Sequence, residues 1–437
     1  MFKKAVLILA LAALTALGQP PAGGRGGSGG GRGGRGGFGG PAIKSPEISA
    51  DGKVTVRLRA PNAKDVSVSG LGGQRTPLVK DDQGVWTATS DVLKPDVYMY
   101  QFAVDGMTIN DPSNPHLATS FGTGGRSVVT IPGSVAWAPV EGVAKGAVTR
   151  HPYHSALIGD DRDFYVYTPA GYDPKRKEAY PVLYLLHGLG DDAQSWLTQG
   201  NANVILDNLI AQGKVKPMIM VNPLGYGHPG GGAGVSDMIV HFADALLNEV
   251  MPQVEKEYNV AKDRDHRAIA GLSMGGAEAT FTGLNHLDKF AYIGSFSGAY
   301  VMWPGANNGG RGASGASGGA PRGPAPAIPA QAIAAGGPPP AGASGGRGGG
   351  RGGQSLNPAI IDQNFGALSA KVNPQIKLLW IVCGTADPLL GVNRQFKDWL
   401  TAKNVKFTQQ EVPDMAHVWP LWRQNLTDLA PQLFTSK

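Results

Sequence analysis

The sequence predicts two folded parts of different class: a small all-β sandwich, then an α/β domain with a mostly parallel sheet covered by helices. Three observations carry this. Short alternating segments separated by turn signals fill residues 42–134. Beyond residue 151, continuous apolar runs alternate with helix-patterned ones, the pattern of a sheet buried on both faces. One apolar run, Arg267-Ala268-Ile269-Ala270, feeds directly into Gly271-Leu272-Ser273-Met274-Gly275-Gly276 and then into a helix-forming stretch.

The chain of 437 residues begins Met1-Phe2-Lys3-Lys4, an apolar stretch from Ala5 to Leu17, and small residues around Ala16-Leu17-Gly18. A charged start, a short apolar run and a small-residue site read as a secretory signal over 1–18. The run is too short to span a bilayer comfortably. The expectation is a secreted or periplasmic protein with no membrane role beyond export. The only cysteine, Cys383, falls inside a predicted strand, so an intramolecular disulfide is excluded and the core must hold by packing.

A net charge of +6 suggests nucleic acid until its location is read. Residues 19–41 carry Arg25, Arg32 and Arg35 among glycines, and residues 303–356 carry Arg311, Arg322, Arg347 and Arg351, with no acidic residue or lysine in either tract. Taking these seven charges and the two leader lysines away from +6 leaves −3 for the rest. The basicity thus belongs to segments too poor in apolar residues to fold, and no nucleic-acid partner is expected. The second tract interrupts the α/β domain and reads as a tolerated surface insertion in preference to a flap over a site.

Within 42–134, Lys53–Arg59 and Asp65–Ser69 alternate with period two; Gly84–Thr89, Val97–Phe102 and Ser127–Ile131 follow, with Asp105-Gly106 as a hairpin turn. These predict an immunoglobulin-like sandwich, joined by a linker at 135–150 to the α/β domain at 151–437. In that domain the strand segments are Phe164–Thr168, Val182–Leu186, Met218–Asn222, Ala268–Gly271, Tyr292–Ser295, Leu378–Cys383 and Val405–Val412. The helical ones are Asn203–Gln212, Met238–Tyr258, Glu278–Leu284, Gln395–Lys403 and Pro420–Phe434.

Strand, tight glycine-flanked turn and helix make Ser273 a nucleophile-elbow candidate. An α/β-hydrolase fold with this elbow calls for an acid and then a histidine further along. Asp387 stands just past the apolar run Leu378–Cys383, and His417 lies between the last strand and the last helix. Asp414 is the weaker rival acid, being too close to His417 in sequence. The N–H of Met274 and that of Leu189, in His187-Gly188-Leu189-Gly190-Asp191-Asp192 after the third-strand run, are the candidate oxyanion donors. His187 itself reads as a buried support for the loop. Trp419, Gly188 and Trp196 are candidate substrate contacts, whereas Trp422 reads as packing. No metal-ligand spacing appears among the nine histidines, and neither metal nor cofactor is expected.

Several segments resemble the esterase-D-like hydrolases, in particular the feruloyl and acetyl-xylan esterases of carbohydrate esterase family 1. They are Tyr165-Val166-Tyr167-Thr168-Pro169, Leu185 to Asp192, Asn201 to Ile210, Gly271 to Gly276, Asn285-His286-Leu287-Asp288, Ser295 to Ala299 and His417 to Trp422. Ser45 to Gly52 and Asp111-Pro112-Ser113-Asn114-Pro115 are similar to early-set, glycogen-binding-like sandwiches. The resemblance implies a serine esterase acting on esters of plant polysaccharide such as xylan, its partner an ester on a polysaccharide or small molecule. It leaves open a siderophore trilactone esterase and, in another class, a non-catalytic polysaccharide-binding protein.

Overall fold

The structure is a computed structural model. It describes residues 43–73, 75–120, 124–133, 135–230, 237–306 and 355–435. The expected signal at 1–18, the tract at 19–41 and nearly all of the insertion at 303–356 lie outside these residues.

The first part is a sandwich of two antiparallel sheets. One orders Glu47–Ile48 (β1), Val54–Arg59 (β2), Val85–Thr89 (β6) and Val79–Lys80 (β5). The other orders Thr76–Pro77 (β4), Val66–Ser69 (β3), Val97–Val104 (β7), Arg126–Thr130 (β10) and Leu117–Ala118 (β9), with Met107–Ile109 (β8) also on β7. The period-two pattern does what it implies: Val54, Val56 and Leu58 of β2 are buried between Val66, Val68, Phe102 and Ile131. Trp86 and Tyr100 are buried here too, the indole N–H donating to the Ala60 carbonyl at 2.8 Å and the phenol to Asp111 Oδ2 at 2.7 Å. Both rings are core residues and present no platform to a ligand.

The second part is built on an eight-stranded sheet ordered β11-β12-β14-β13-β15-β16-β17-β18. The strands are Ala147–Ser155 (β11), Asp160–Thr168 (β12), Val182–Leu186 (β13), Ile219–Pro223 (β14), Arg267–Leu272 (β15), Tyr292–Phe296 (β16), Leu378–Gly384 (β17) and Thr408–Val412 (β18). From β14 to β18 all pairs are parallel; β11 and β12 add antiparallel strands at one edge. Ligand sites in such sheets form at the carboxyl ends of the parallel strands. Helices cover both faces: Ser195–Thr198 (α1), Ala202–Ala211 (α2), Met238–Ala245 (α3), Met251–Glu257 (α4), Met274–Asn285 (α5), Pro358–Phe365 (α6), Leu390–Ala402 (α7) and Trp419–Leu429 (α8). The helix expected over Met238–Tyr258 is interrupted by a π-turn at Leu246–Val250. It sits just ahead of Pro252, which has no N–H to give and crowds the carbonyl four residues back.

The expected linker at 135–150 is not loose. Its last four residues open strand β11, and Trp137 and Ala138 are buried. Asn208 on α2 donates to the carbonyls of Ala136 and Ala138 at 2.8 and 2.9 Å, and Asn201 donates to that of Trp137 at 3.0 Å.

Sandwich and α/β domain share one apolar cluster, in which Val97, Ala118 and Val128 meet Trp196, Leu206, Trp422 and Leu426. At its polar centre Arg423 of α8, about 1% exposed, is ion-paired with Asp96 and donates to the Gln199 carbonyl at 2.6 Å. Asp96 also accepts the Trp137 indole N–H at 3.0 Å, and the guanidinium lies over that ring at 5.4 Å. Removing one partner of a buried pair strands the other charge, which typically costs 3–5 kcal/mol. Asp96→Ala should therefore lower unfolding free energy by about 3 kcal/mol, read as a shifted denaturant midpoint.

Candidate active site

Ser273 follows β15 and caps α5 with φ +53° and ψ −114°, a conformation that L-residues avoid. The strain is held from both sides: the Ser273 N–H donates to the Phe296 carbonyl at 2.9 Å, and its own carbonyl accepts from Ala299 N–H at 2.8 Å. The flanking glycines are steric necessities. A Cβ on Gly271 would overlap the Gly275 carbonyl, and one on Gly275 would lie 2.6 Å from the Leu186 carbonyl oxygen. β15 and α5 thereby meet closely enough to lift the serine out at the sheet's rim.

Asp387 lies in the loop after β17, with its side chain fully buried. That loop is stitched to the one after β18: Thr385 N–H donates to the Val412 carbonyl at 2.9 Å and Ala386 N–H to that of Met415 at 3.1 Å. One carboxylate oxygen of Asp387 accepts from Leu389 N–H at 2.8 Å; the other lies 2.8 Å from His417 Nδ1. His417 Nε2 is 3.0 Å from Ser273 Oγ. The imidazole rests edge-on against Trp422, ring centroids 4.9 Å apart, and the Trp422 indole N–H donates to Ser297 Oγ at 3.3 Å. Three residues far apart in sequence thus form one continuous hydroxyl–imidazole–carboxylate line. Asp414 stands outside it, in a left-handed turn with φ +57°, its N–H on Thr385 Oγ1.

The turn after β13 lies against Ser273: a Cβ on Gly188 would come within 3.4 Å of the serine Cβ. In this turn Gly190 N–H donates to the Tyr226 hydroxyl at 2.7 Å and Asp191 N–H to the Gly188 carbonyl at 3.1 Å, so both are committed within the protein. Leu189 N–H is not engaged by another described residue. Met274 is the first residue of α5, where an N–H has no helical acceptor. Both candidate donors are therefore positioned on elements that meet at Ser273.

His187 is about 1% exposed. Its Nδ1 lies 2.8 Å from the Gly188 carbonyl, and its Nε2 accepts from Gly225 N–H at 2.9 Å. A carbonyl can only accept, so Nδ1 carries the proton and the ring is neutral. Burial pushes its pKa down to about 4. It is a brace for the turn.

Several residues of the site carry no signal in the sequence. Tyr226, after β14, receives Gly190 N–H and donates to the Asp191 carbonyl at 3.0 Å, clasping the turn. Burial raises the Asp191 carboxyl to about 7, with Gln199 Nε2 donating to it at 3.2 Å. Glu278, on α5, is fully buried, its pKa driven well above the carboxylate range by desolvation.

Two sequence expectations need correction. Trp196 is about 1% exposed, its indole N–H on the Leu186 carbonyl at 2.8 Å, and Trp419 packs edge-on against it with centroids 5.2 Å apart. Both rings pack beneath the site, Trp419 being also wedged against Trp422. They are core residues, not substrate contacts. Gly188 lies against Ser273. Among the described residues no group of three or more His, Cys, Asp or Glu is placed to hold a metal ion.

Residues 155–317 match the model of the Esterase family, described as "Putative esterase". Over 271 residues the chain is 35% identical to an endo-1,4-beta-xylanase/feruloyl esterase of Xylanibacter ruminicola, covering 60% of this chain and 37% of that protein. It is 31% identical over 166 residues to endo-1,4-beta-xylanase Y of Acetivibrio thermocellus, covering 36% of this chain and 14% of that one. The chain thus spans little more than a third of the length of these relatives at most. Among solved structures, the enterobactin esterase FES from Shigella flexneri superposes with a TM-score of 0.54 at 18% identity, over 86% of this chain and 93% of that one. A CE1 ferulic acid esterase from Anaeromyces mucronatus in complex with ferulic acid gives 0.51 at 23%, over 69% and 96%. Both likenesses are of fold, and the fold is that of an α/β hydrolase. The match to the Esterase family model is carried by residues 155–317, within the domain whose fold these structures share.

Proposed function

We propose that the protein is a serine carboxylic-ester hydrolase that releases feruloyl or acetyl groups from xylan. The observation that carries the chemistry is the line Ser273 Oγ–His417 Nε2 at 3.0 Å and His417 Nδ1–Asp387 Oδ2 at 2.8 Å. Ser273 Oγ attacks the ester carbonyl carbon while His417 Nε2 takes its proton. Asp387 holds the imidazole in the tautomer that can accept and stabilises the cation that forms. The carbonyl oxygen, now an anion, receives the N–H groups of Met274 and Leu189; each such donor is typically worth about 10²–10³ in rate. The tetrahedral intermediate collapses, the C–O bond breaks and the alcohol leaves with the proton from His417. Water, deprotonated by the same histidine, then attacks the acyl-serine, and the acid is released.

The substrate class is supported by the relative from Xylanibacter ruminicola, named a xylanase/feruloyl esterase. Its place of action is outside the cytoplasm, on the reading of residues 1–18 as a secretory signal. Among the described residues no helix is long and apolar enough to cross a membrane. A second reading, hydrolysis of a catecholate trilactone, is favoured by the fold likeness to an enterobactin esterase over 86% of the chain. Chromatography of products from feruloylated arabinoxylan, acetylated xylan and a catecholate trilactone separates the readings. Free ferulate or acetate as the main product is the expected result. Preferential trilactone opening would transfer the assignment to the second reading, and no turnover of any of the three would contradict both.

A further inference from the structure

We infer that a cavity beside the catalytic turn is a subsite for a neutral, polyhydroxylated segment of substrate, the carbohydrate that carries the ester. The inference rests on the reading of the protein as an esterase of polysaccharide. The cavity has a volume of about 540 Å³, and Arg150, Tyr153, Asp161, Asp163, Asp192 and Gln194 contribute to its wall. That is within the ~300–1,000 Å³ typical of small-molecule sites.

Its place in the fold ties it to catalysis. Asp161 and Asp163 stand at the start of β12, beside Phe164, which pairs with Pro223 at the carboxyl end of β14. They therefore lie on the same rim as Ser273, three strands further along the sheet order. Asp192 and Gln194 continue the turn that carries Gly188 and Leu189. A substrate whose carbonyl sits at Ser273 has its alcohol portion free to run along this rim.

The chemistry of the wall selects the occupant. A purely apolar acyl chain would leave the polar part of the wall unmet, since five of these six side chains are charged or carry an amide, while Pro152, Ala193 and Leu224 supply apolar surface beside them. An anion meets three carboxylates. A cation is no better served, because the carboxylates are already engaged. Asp163 accepts from Arg150 Nε at 2.7 Å, Asp161 lies 2.8 Å from His154 Nδ1, and Asp192 Oδ1 accepts from Gln194 N–H at 2.9 Å and Ser195 Oγ at 3.2 Å. Arg162, a further member of the wall, is held by Asp160 and by the carbonyls of Leu224 and Tyr226. What remains is a surface whose charged groups are largely engaged with one another, with spare acceptor lone pairs and an amide that both donates and accepts. The ring of Tyr153, partly buried against Phe164, stands in the same wall. Vicinal hydroxyls satisfy such a surface, and a sugar face stacks on such a ring.

The test uses the double variant Asp161→Ala/Gln194→Ala. The Asp161 side chain is 92% exposed and Gln194 makes no side-chain cap to α1, so neither change disturbs the fold. The first readout is kcat/KM on a feruloylated arabinoxylo-oligosaccharide divided by kcat/KM on methyl ferulate. Losing one or two hydrogen bonds should lower this ratio about tenfold, chiefly through KM. The second is calorimetric titration of the full chain carrying Ser273→Ala with the unesterified oligosaccharide, expected to show binding that the double variant weakens about tenfold. An unchanged ratio, or binding that is absent or indifferent to the two substitutions, would overturn the subsite. Saccharide binding by a parent protein that cannot cleave the feruloylated substrate would uphold the subsite and sink the esterase reading instead.

Discussion

Ser273→Ala should lower kcat on a simple aryl ester by about 10⁶ with little change in KM, the scale at which serine-triad hydrolases lose activity. The reason is local. Ser273 Oγ is the atom that forms the bond, and no other described hydroxyl lies on His417 Nε2. The backbone keeps its conformation through the change, since the strained φ of +53° is imposed by the Phe296 and Ala299 backbone hydrogen bonds and not by the side chain. A thermal melt within a degree or so of the parent, alongside the kinetic loss, separates missing chemistry from misfolding. Full retention of turnover in a folded Ser273→Ala protein would reject the proposed nucleophile.

Asp387→Asn should lower kcat by about 10⁴, as loss of the orienting carboxylate does in such triads. Here the geometry shows why. Asp387 accepts two hydrogen bonds, from Leu389 N–H at 2.8 Å and from His417 Nδ1 at 2.8 Å. An amide can satisfy only one of them as an acceptor. With its oxygen on Leu389, its NH₂ faces Nδ1 and drives the proton to Nε2, where the ring can no longer accept from Ser273. Turned the other way, NH₂ confronts the Leu389 N–H, and two donors are left facing each other in a buried pocket. The first orientation removes the general base, and the second keeps the tautomer only at the cost of that clash and without a carboxylate to stabilise the imidazolium. Partial recovery of rate at high pH, where hydroxide substitutes for the lost base, is the signature to record; a loss of only a few-fold would remove Asp387 from the proposed relay.

The elbow was legible because all its requirements are local: an apolar strand, glycines at Gly271, Gly275 and Gly276, and a helix behind them. Asp387 and His417 were legible because loops at the carboxyl ends of apolar runs fall on one rim. The tryptophans were not. Trp196 and Trp419 stand beside site residues in the sequence, but burial depends on what packs across from them, here each other and the sandwich-facing cluster. Strand β11 was hidden for another reason. Ala147–Ser155 is mostly exposed and includes Pro152, so it has no apolar alternation to read, as an edge strand need not. The Asp96–Arg423 pair joins residues 327 apart, and the Tyr226 clasp relies on one hydroxyl in a loop. Such partnerships arise from tertiary approach and leave no spacing in the chain.

The central claim, that Ser273 is an activated nucleophile, is tested most directly by covalent capture. A fluorophosphonate reacts rapidly only with a serine whose proton is being withdrawn by a neighbouring base. Mass spectrometry of the proteolysed adduct should find one phosphonylated peptide, carrying Ser273, with esterase activity falling in step with its occupancy. A phosphonate on any other residue, or turnover that survives complete labelling of Ser273, would contradict the account.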